Sequence, residues 1–315
     1  MSKNLLAKGK TADKVFTLIV YLAALFVLVV LVGIILSLVV QSIPSFKAFG
    51  FSFLWSSDWQ PSKGQFGALI PIVGTLVTSL IALLIATPVS FFTAVFLVYI
   101  CPPKLKGIIK NLLELLAAVP SIVFGMFGLM VFAPIFSEYF QIPLQNIIGN
   151  VPFIGALVAG PAWGLGLLPA GIILAIMVIP FITSTMTDIF NQSPKILLES
   201  AYGMGLTRWE SINNIIVPSC RVGLVSGVML GLGRALGETM AVAFVIGNTF
   251  NLHGISLYQP LSTITSVIAN NFAEASEGLY TAVLLELGLI LFVITFLVLL
   301  ASKAIIKFSA RKDGK

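Results

Sequence analysis

Residues 15–40 read VFTLIVYLAALFVLVVLVGIILSLVV, a stretch without a single charged side chain. About 20 apolar residues in a helix cross the hydrocarbon of a bilayer. This stretch exceeds that length, and it also exceeds the roughly 7–15-residue apolar core of a cleaved leader. No small-residue cleavage site closes it, so it reads as a retained spanning helix. Four lysines precede it: Lys3, Lys8, Lys10 and Lys14. The rest of the chain has the same character. Of 315 residues, 58% are hydrophobic and only 10% charged, where a soluble domain averages about 25% charged. Mean hydropathy is +1.07. So little charge could not cover a soluble core, and the fold class is all-α integral membrane protein.

The uncharged runs predict six transmembrane helices at about 15–40, 70–98, 111–136, 168–190, 220–247 and 280–302, within a membrane domain over 15–305. Basic tails 1–14 and 306–315 flank it, and a loop over 191–218 joins the fourth and fifth spans. Of the 18 Lys and Arg residues, only Lys47 and Lys63 fall in a loop on the opposite side, and only Arg234 lies well inside a span, Arg221 standing where the loop after the fourth span meets the fifth. All the others cluster in the tails and the even-numbered loops. The positive-inside rule then places both termini and those loops in the cytoplasm. The basic residues need no nucleic-acid partner. Cys101 and Cys220 lie near that face, far apart and without a CxxC pair, so they read as reduced thiols. The lone histidine, His253, leaves no multi-histidine metal site, and no GxxxxGK[ST] loop exists, so this chain binds no ATP by that route.

The loop after the fourth span reads SPKILLESAYGMGLTRWESINNIIVPSCR (193–221). Ser193 with Pro194 behind it predicts a helix start, and Gly205 a helix stop. Thr207 with Glu210 three residues on predicts a capping box for a second short helix, and Pro218 marks the approach to the fifth span. Apolar Ile196, Leu197, Trp209, Ile212 and Ile216 mix with Lys195, Glu199, Arg208 and Glu210. Such a surface suits docking on another protein; an amphipathic linker capping two spans fits the same residues.

The spacing within this loop is specific. Permeases of ABC importers carry EAA-x3-G-x9-I-x-L-P, and here Glu199-Ser200-Ala201, Gly205, Ile215, Val217 and Pro218 fall at the matching positions. Ser200 replaces an alanine and Val217 a leucine. The loop resembles the coupling element of that family, which sits in a groove of an ATP-hydrolysing subunit. The resemblance implies that Glu199, Ala201, Gly205 and Pro218 frame the element and that Arg208 and Trp209 contact the ATPase. It also accounts for the missing P-loop: this chain is not itself an enzyme, it holds no cofactor, and ATP and magnesium bind the partner.

The fifth span, GLVSGVMLGLGRALGETMAVAFVIGN (223–248), holds two charges, Arg234 and Glu238. A charge at the centre of a span costs about 2.5–3.5 kcal/mol on insertion scales, so neither faces lipid. At a four-residue spacing they share a helix face and can pair. At about 100° per residue, Gly223, Gly227 and Gly231 join them within roughly 80°, and such a glycine face admits a neighbouring helix. Two readings stand: a salt bridge that orients helices, or an anion path in which Arg234 offers paired donors and Glu238 holds the guanidinium at rest. Elsewhere, Pro88, Pro120 and Pro134 can kink spans two and three, Lys110 and Glu114 read as a surface pair, and Glu286 lies early in the sixth span. The loop 137–167 is apolar enough to pack on the bundle or on a partner.

GRALGETMAV (233–242) resembles the fifth-span signature of permeases of bacterial phosphate ABC importers. FLWSSDWQP (53–61), LLAAVPSIVFGMFGLMVFAP (115–134) and LLELGLILFVITF (284–296) resemble the same family, in the branch with a long first outer loop. The resemblance runs from about residue 12 to 308 and implies a type I ABC importer permease fold in the bacterial inner membrane. It implies half of a pathway for inorganic phosphate, with Arg234 and Glu238 on it. It also implies a second permease subunit (PstA), two copies of an ATPase (PstB) and a periplasmic phosphate-binding protein (PstS). Import of another oxyanion, such as sulfate or molybdate, is the first alternative. A transporter driven by an ion gradient is the second, and no internal symmetry favours it.

Overall fold

The computed structural model describes residues 2–312 except 153, 252, 253, 255, 276 and 277; His253 therefore lies outside the described residues. Among the described residues the chain is helical, with no β-strand and only isolated bridges at Gln60–Gln65 and Gly247–Leu261. In chain order the helices are α1 (Ser2–Phe49), α2 (Leu69–Val95), α3 (Pro103–Ala118), α4 (Ser121–Phe127), α5 (Ala133–Phe136), α6 (Ile142–Ile148), α7 (Ile154–Leu157), α8 (Leu167–Asn191), α9 (Lys195–Gly203), α10 (Arg208–Ser211), α11 (Val217–Leu236), α12 (Met240–Ala243), α13 (Ile264–Asn271) and α14 (Leu279–Lys312). Several join through π-helical turns, so that six continuous runs are long and apolar enough to cross a membrane: Asp13–Leu54, Leu69–Ile100, Ser121–Ile148, Leu167–Asn191, Arg208–Leu236 and Leu279–Ala304. This is a multi-pass membrane protein.

Three spans depart from the sequence expectation. The first, expected over 15–40, continues to Leu54, so that Lys47 lies within α1 and not in a loop. The third was expected over 111–136 but begins at Ser121 and ends at Ile148. Pro120 drives the preceding residue out of the helical region, and Val119 and Pro120 are extended (ψ 128 and 138), which detaches α3. α3 has no buried residue; it exposes Leu105, Ile108, Leu112 and Leu115 on one side and carries Lys106, Lys110 and Glu114 on another. That is the pattern of an interfacial helix, not of a span. The fifth run was expected over 220–247; it starts at Arg208 and ends at Leu236.

Three of the four π-helical turns share a cause; the fourth, Phe96–Ile100, closes the second run at the extended Cys101. Proline lacks an N–H, and its ring clashes with the carbonyl four residues back. Gly128–Phe132, Ser137–Gln141 and Ile212–Ile216 are π-helical, and each ends two residues before a proline: Pro134, Pro143 and Pro218. In each case the carbonyl that the ring would strike (of Met130, Tyr139 or Asn214) lies inside the widened turn. The wider turn lets the helix pass the proline without breaking.

The core is built round α8. Its Ile173, Leu174, Met177, Val178, Ile182, Met186 and Phe190 are buried against α2, α4, α11 and α12. α1 exposes nearly its whole apolar length and meets the bundle mainly along α14. A second cluster lies away from the lysine-bearing end, where Phe53, Phe66 and Ala68 pack on Ile264, Val267, Val283 and Leu284. Trp59 caps it, stacked on Phe250 at 4.8 Å. The apolar stretch 137–167 is stitched to the bundle: Leu257 N–H donates to the Leu157 carbonyl at 2.8 Å, and Gly166 N–H to the Val245 carbonyl at 3.0 Å. Glu286, the charge early in the last span, is buried at 2% exposure in the seam with α1, where Ser42 and Ser45 are also buried.

Candidate functional site

Three of the four glycines of α11 face α8. A Cβ at Gly231 would stand 2.5 Å from Ile182 Cγ1, one at Gly223 2.9 Å from Ile189 Cγ2, and one at Gly227 3.2 Å from Thr185 Cγ2. The three partners are spaced so that they line one face of α8. This contact fixes α11 and with it Arg234, which sits in the last turn of α11. A cation there is favoured by the partial negative charge of the helix C-terminus. The Arg234 guanidinium carbon lies 5.5 Å from the centre of the Phe181 ring of α8. The ring's negative face attracts the cation and, in a stacked arrangement, leaves the in-plane N–H edges for other partners.

Glu238 is not the partner that the four-residue spacing predicts. The helix ends at Leu236, Gly237 follows, and a new short helix begins only at Met240. The shared face therefore does not reach Glu238, and it forms no ion pair with Arg234. Glu238 instead serves the break. Its Oε1 accepts the Ala241 N–H at 3.3 Å, at the start of α12. Its backbone carbonyl accepts Thr265 Oγ1 at 2.7 Å, which ties the break to α13. The fifth membrane helix is thus a long half and a short half, with Arg234 on one side of the gap and Glu238 on the other. A broken helix exposes backbone polar groups, and these are tolerated in a membrane protein only where they are buried or line a polar cavity.

The 191–218 segment is ordered by its own local bonds. Gly205 has φ +81, a conformation that costs an L side chain about 1–2 kcal/mol. Around it, Leu206 N–H bonds the Ala201 carbonyl at 3.1 Å and Gly205 N–H the Tyr202 carbonyl at 3.0 Å. That pair of bonds is the Schellman ending of a helix. Thr207 and Glu210 form a reciprocal capping box: Glu210 N–H donates to Thr207 Oγ1 at 3.3 Å and Thr207 N–H to Glu210 Oε2 at 2.8 Å. The expected cap at Ser193 is absent: α9 starts at Lys195, and Ser193 Oγ is buried without a hydrogen-bond partner. Nor is Pro218 a break; the helical run passes it through the π-helical turn.

Side-chain placement divides the segment in two. Ala201, Ser211, Ile212 and Ile216 are buried, and Leu197 is partly buried on the core, so Ile212, Ile216 and Leu197 are not docking residues. Ile196, Tyr202, Met204 and Trp209 are exposed apolar groups, set among exposed Glu199, Gly205, Arg208 and Pro218. Tyr202 and Met204 were missed by sequence reasoning because neither follows a charged or capping signal. Phe181 was missed because nothing in a single sequence pairs it with Arg234.

Residues 86–308 match the family described as binding-protein-dependent transport system inner membrane component. The chain is 50% identical over 292 residues to the phosphate transport system permease protein PstC of Pasteurella multocida, covering 93% of this chain and 91% of that one. It is 51% identical over 294 residues to the PstC of Haemophilus influenzae, covering 93% of each, and 34% identical over 309 residues to PstC 1 of Mycobacterium tuberculosis, covering 92% of this chain and 91% of that one. Among solved structures, an inward-facing MetNI methionine ABC transporter chain aligns with TM-score 0.51 at 16% identity, over 76% of this chain and 93% of that one. That likeness establishes the permease fold. The chain belongs to the family of binding-protein-dependent transport system inner membrane components.

Proposed function

We propose that this chain is a permease subunit of an ATP-driven importer of inorganic phosphate and forms half of its translocation pathway. The observation that carries the substrate is its 50% identity to a phosphate transport system permease over 93% of its length. Its partners are a second permease, PstA, two copies of the ATPase PstB, and the binding protein PstS that delivers phosphate from outside. ATP and magnesium belong to PstB; this chain does no covalent chemistry and holds no cofactor. The protein lies in the bacterial inner membrane with both termini in the cytoplasm, as the distribution of lysine and arginine favours.

Arg234 is the contact for passing phosphate. Phosphate needs a cation to leave water, and a guanidinium offers two parallel N–H donors to its oxygens. Binding must also stay weak enough for release. The Phe181 ring supplies a resting partner that competes without a full counter-charge. Glu238 holds the start of α12 across the gap and bears on the path through the geometry of the break. At the other end, ATP-driven closure of the PstB pair moves the 195–216 element through Ile196, Tyr202, Met204, Arg208 and Trp209. The Schellman turn and the capping box make that element rigid enough to transmit the motion.

Uptake of radioactive phosphate in cells lacking the native gene tests the assignment, with wild type and Arg234→Gln at matched membrane abundance. Wild type restores phosphate uptake and the variant does not. Restoration of sulfate or molybdate uptake in place of phosphate would replace the substrate and leave the fold reading intact.

A further inference from the structure

Two cavities lie one behind the other along the seam between α3 and α8. The polar one is lined by Tyr99, Lys106, Asn191, Ser193, Lys195 and Glu199. It brings together a lysine near the start of α3, the end of α8 and the start of α9. Neither Lys106 nor Lys195 is ion-paired among the described residues. Ser193 Oγ faces neither solvent nor a hydrogen-bond partner. Two lysines against one glutamate leave this cavity one positive charge in excess. The second cavity lies further along the same two helices and is almost wholly apolar, walled by Leu97, Leu113, Ala117, Pro180 and Phe181. Lys110 and Glu114, paired at 3.7 Å, also border it, as does Asp188. The step from Asn191 in the polar cavity to Ser184 in the apolar one is about 10 Å along α8 at 1.5 Å per residue.

A basic hollow at the lysine-rich end, continued by an apolar slot deeper in the bundle, has the form of an anionic lipid. We propose that this seam binds an anionic phospholipid, its headgroup phosphate between Lys106 and Lys195 and an acyl chain in the apolar cavity. Basic hollows between membrane helices on the cytoplasmic side suit lipid phosphates, and each lysine at the surface adds to that attraction. A phosphodiester carries one formal negative charge, which balances the polar cavity; dianionic inorganic phosphate would overshoot it and would leave the apolar slot without an occupant. α3 exposes an apolar face beside its lysines and so brings the lipid to the seam. The inference rests on the membrane embedding and not on the transported substrate.

The test is native mass spectrometry of the full-length protein taken from nanodiscs of equal phosphatidylglycerol and phosphatidylcholine. Wild type retains phosphatidylglycerol in preference. Lys106→Gln with Lys195→Gln lowers that preference by about 25-fold, from two lysines at about fivefold each. Ala117→Phe fills the apolar slot without changing charge and lowers retention of both lipids. Equal retention of the two lipids by wild type overturns the proposal, as does a preference that survives the lysine variants. A separate arm measures binding of labelled inorganic phosphate to the delipidated protein. Binding that vanishes in the lysine variants while phosphatidylglycerol retention persists would assign the cavity to free phosphate and also overturn the proposal.

Discussion

The guanidinium carbon of Arg234 stands 5.5 Å from the centre of the Phe181 ring, and the Glu238 carboxylate accepts the Ala241 N–H at the start of α12. The Arg234 guanidinium is therefore met by a ring and not by the Glu238 carboxylate. Charge-assisted bonds to an anion contribute about 1.5–3 kcal/mol, so Arg234→Gln should cut phosphate uptake at least about tenfold at matched abundance. Phe181→Leu removes an attraction of about 0.5–2 kcal/mol and should alter uptake about two- to tenfold, while Phe181→Tyr keeps the ring and most of the activity. Equal uptake in Phe181→Leu and wild type would remove the ring from the mechanism.

Glu238→Gln separates capping from charge pairing. A glutamine oxygen can still accept the Ala241 N–H, so uptake should stay within about twofold of wild type, whereas Glu238→Ala loses a cap of about 1 kcal/mol and loosens the break. Uptake in the two variants, read beside the thermal midpoint of each in detergent, tells the roles apart. If Gln and Ala were equally inactive with unchanged midpoints, the carboxylate's charge would be the working part.

Gly231→Ala should destabilise the α8–α11 contact, because its new Cβ would come within 2.5 Å of Ile182 Cγ1. Overpacking of this kind costs about 1–3 kcal/mol. Gly227→Ala, at 3.2 Å from Thr185 Cγ2, should cost less. Ile182→Val in the Gly231→Ala background removes the terminal methyl and should recover part of the loss. Thermal unfolding in detergent reads all three, and a midpoint for Gly231→Ala at or above wild type would mean that the helices separate more readily than their packing implies.

Gly205 and Gly203 make a matched pair. An alanine at Gly205 must adopt φ +81 and costs about 1–2 kcal/mol, whereas at Gly203 an added Cβ meets nothing within 4 Å and φ is ordinary. Gly205→Ala should therefore loosen the Schellman turn and reduce phosphate-stimulated ATP hydrolysis in the reconstituted importer. Gly203→Ala should leave it unchanged. A like response from both would show that the turn's geometry does not matter to coupling.

The helical fold was legible because spanning helices need only length and apolarity, and residues 15–40 supply both. The turn at Gly205 and the capping box at Thr207 were legible because both are local bonds between residues within a few positions. Arg234 and Glu238 stood out as charges, but their relation did not, since it depends on whether the helix continues through Gly237. Thr265 Oγ1 on the Glu238 carbonyl helps hold the break open, and that partner is 27 residues away. The start of the third span was misplaced for a related reason. Residues 111–118 are apolar enough to join it, and only the weight given to Val119–Pro120 separates an interfacial helix from a spanning one.

Pro218 tests whether the π-helical turn sets the direction in which Arg208 and Trp209 face. The turn Ile212–Ile216 holds the Asn214 carbonyl, which a proline ring at 218 would strike in an α-helix. Pro218→Ala removes the ring and supplies an N–H, so the segment can regain α-helical bonding. Removing one residue's worth of winding turns everything before it by about 100° relative to α11. Arg208 and Trp209, which are exposed, would then face a new direction, and the buried Ser211 and Ile212 would leave their packing. The expected result is a thermal midpoint below wild type together with reduced coupling, seen as lower phosphate-stimulated ATP hydrolysis and uptake. Retention of both would show that the π-helical turn is held by the surrounding core and not by the proline.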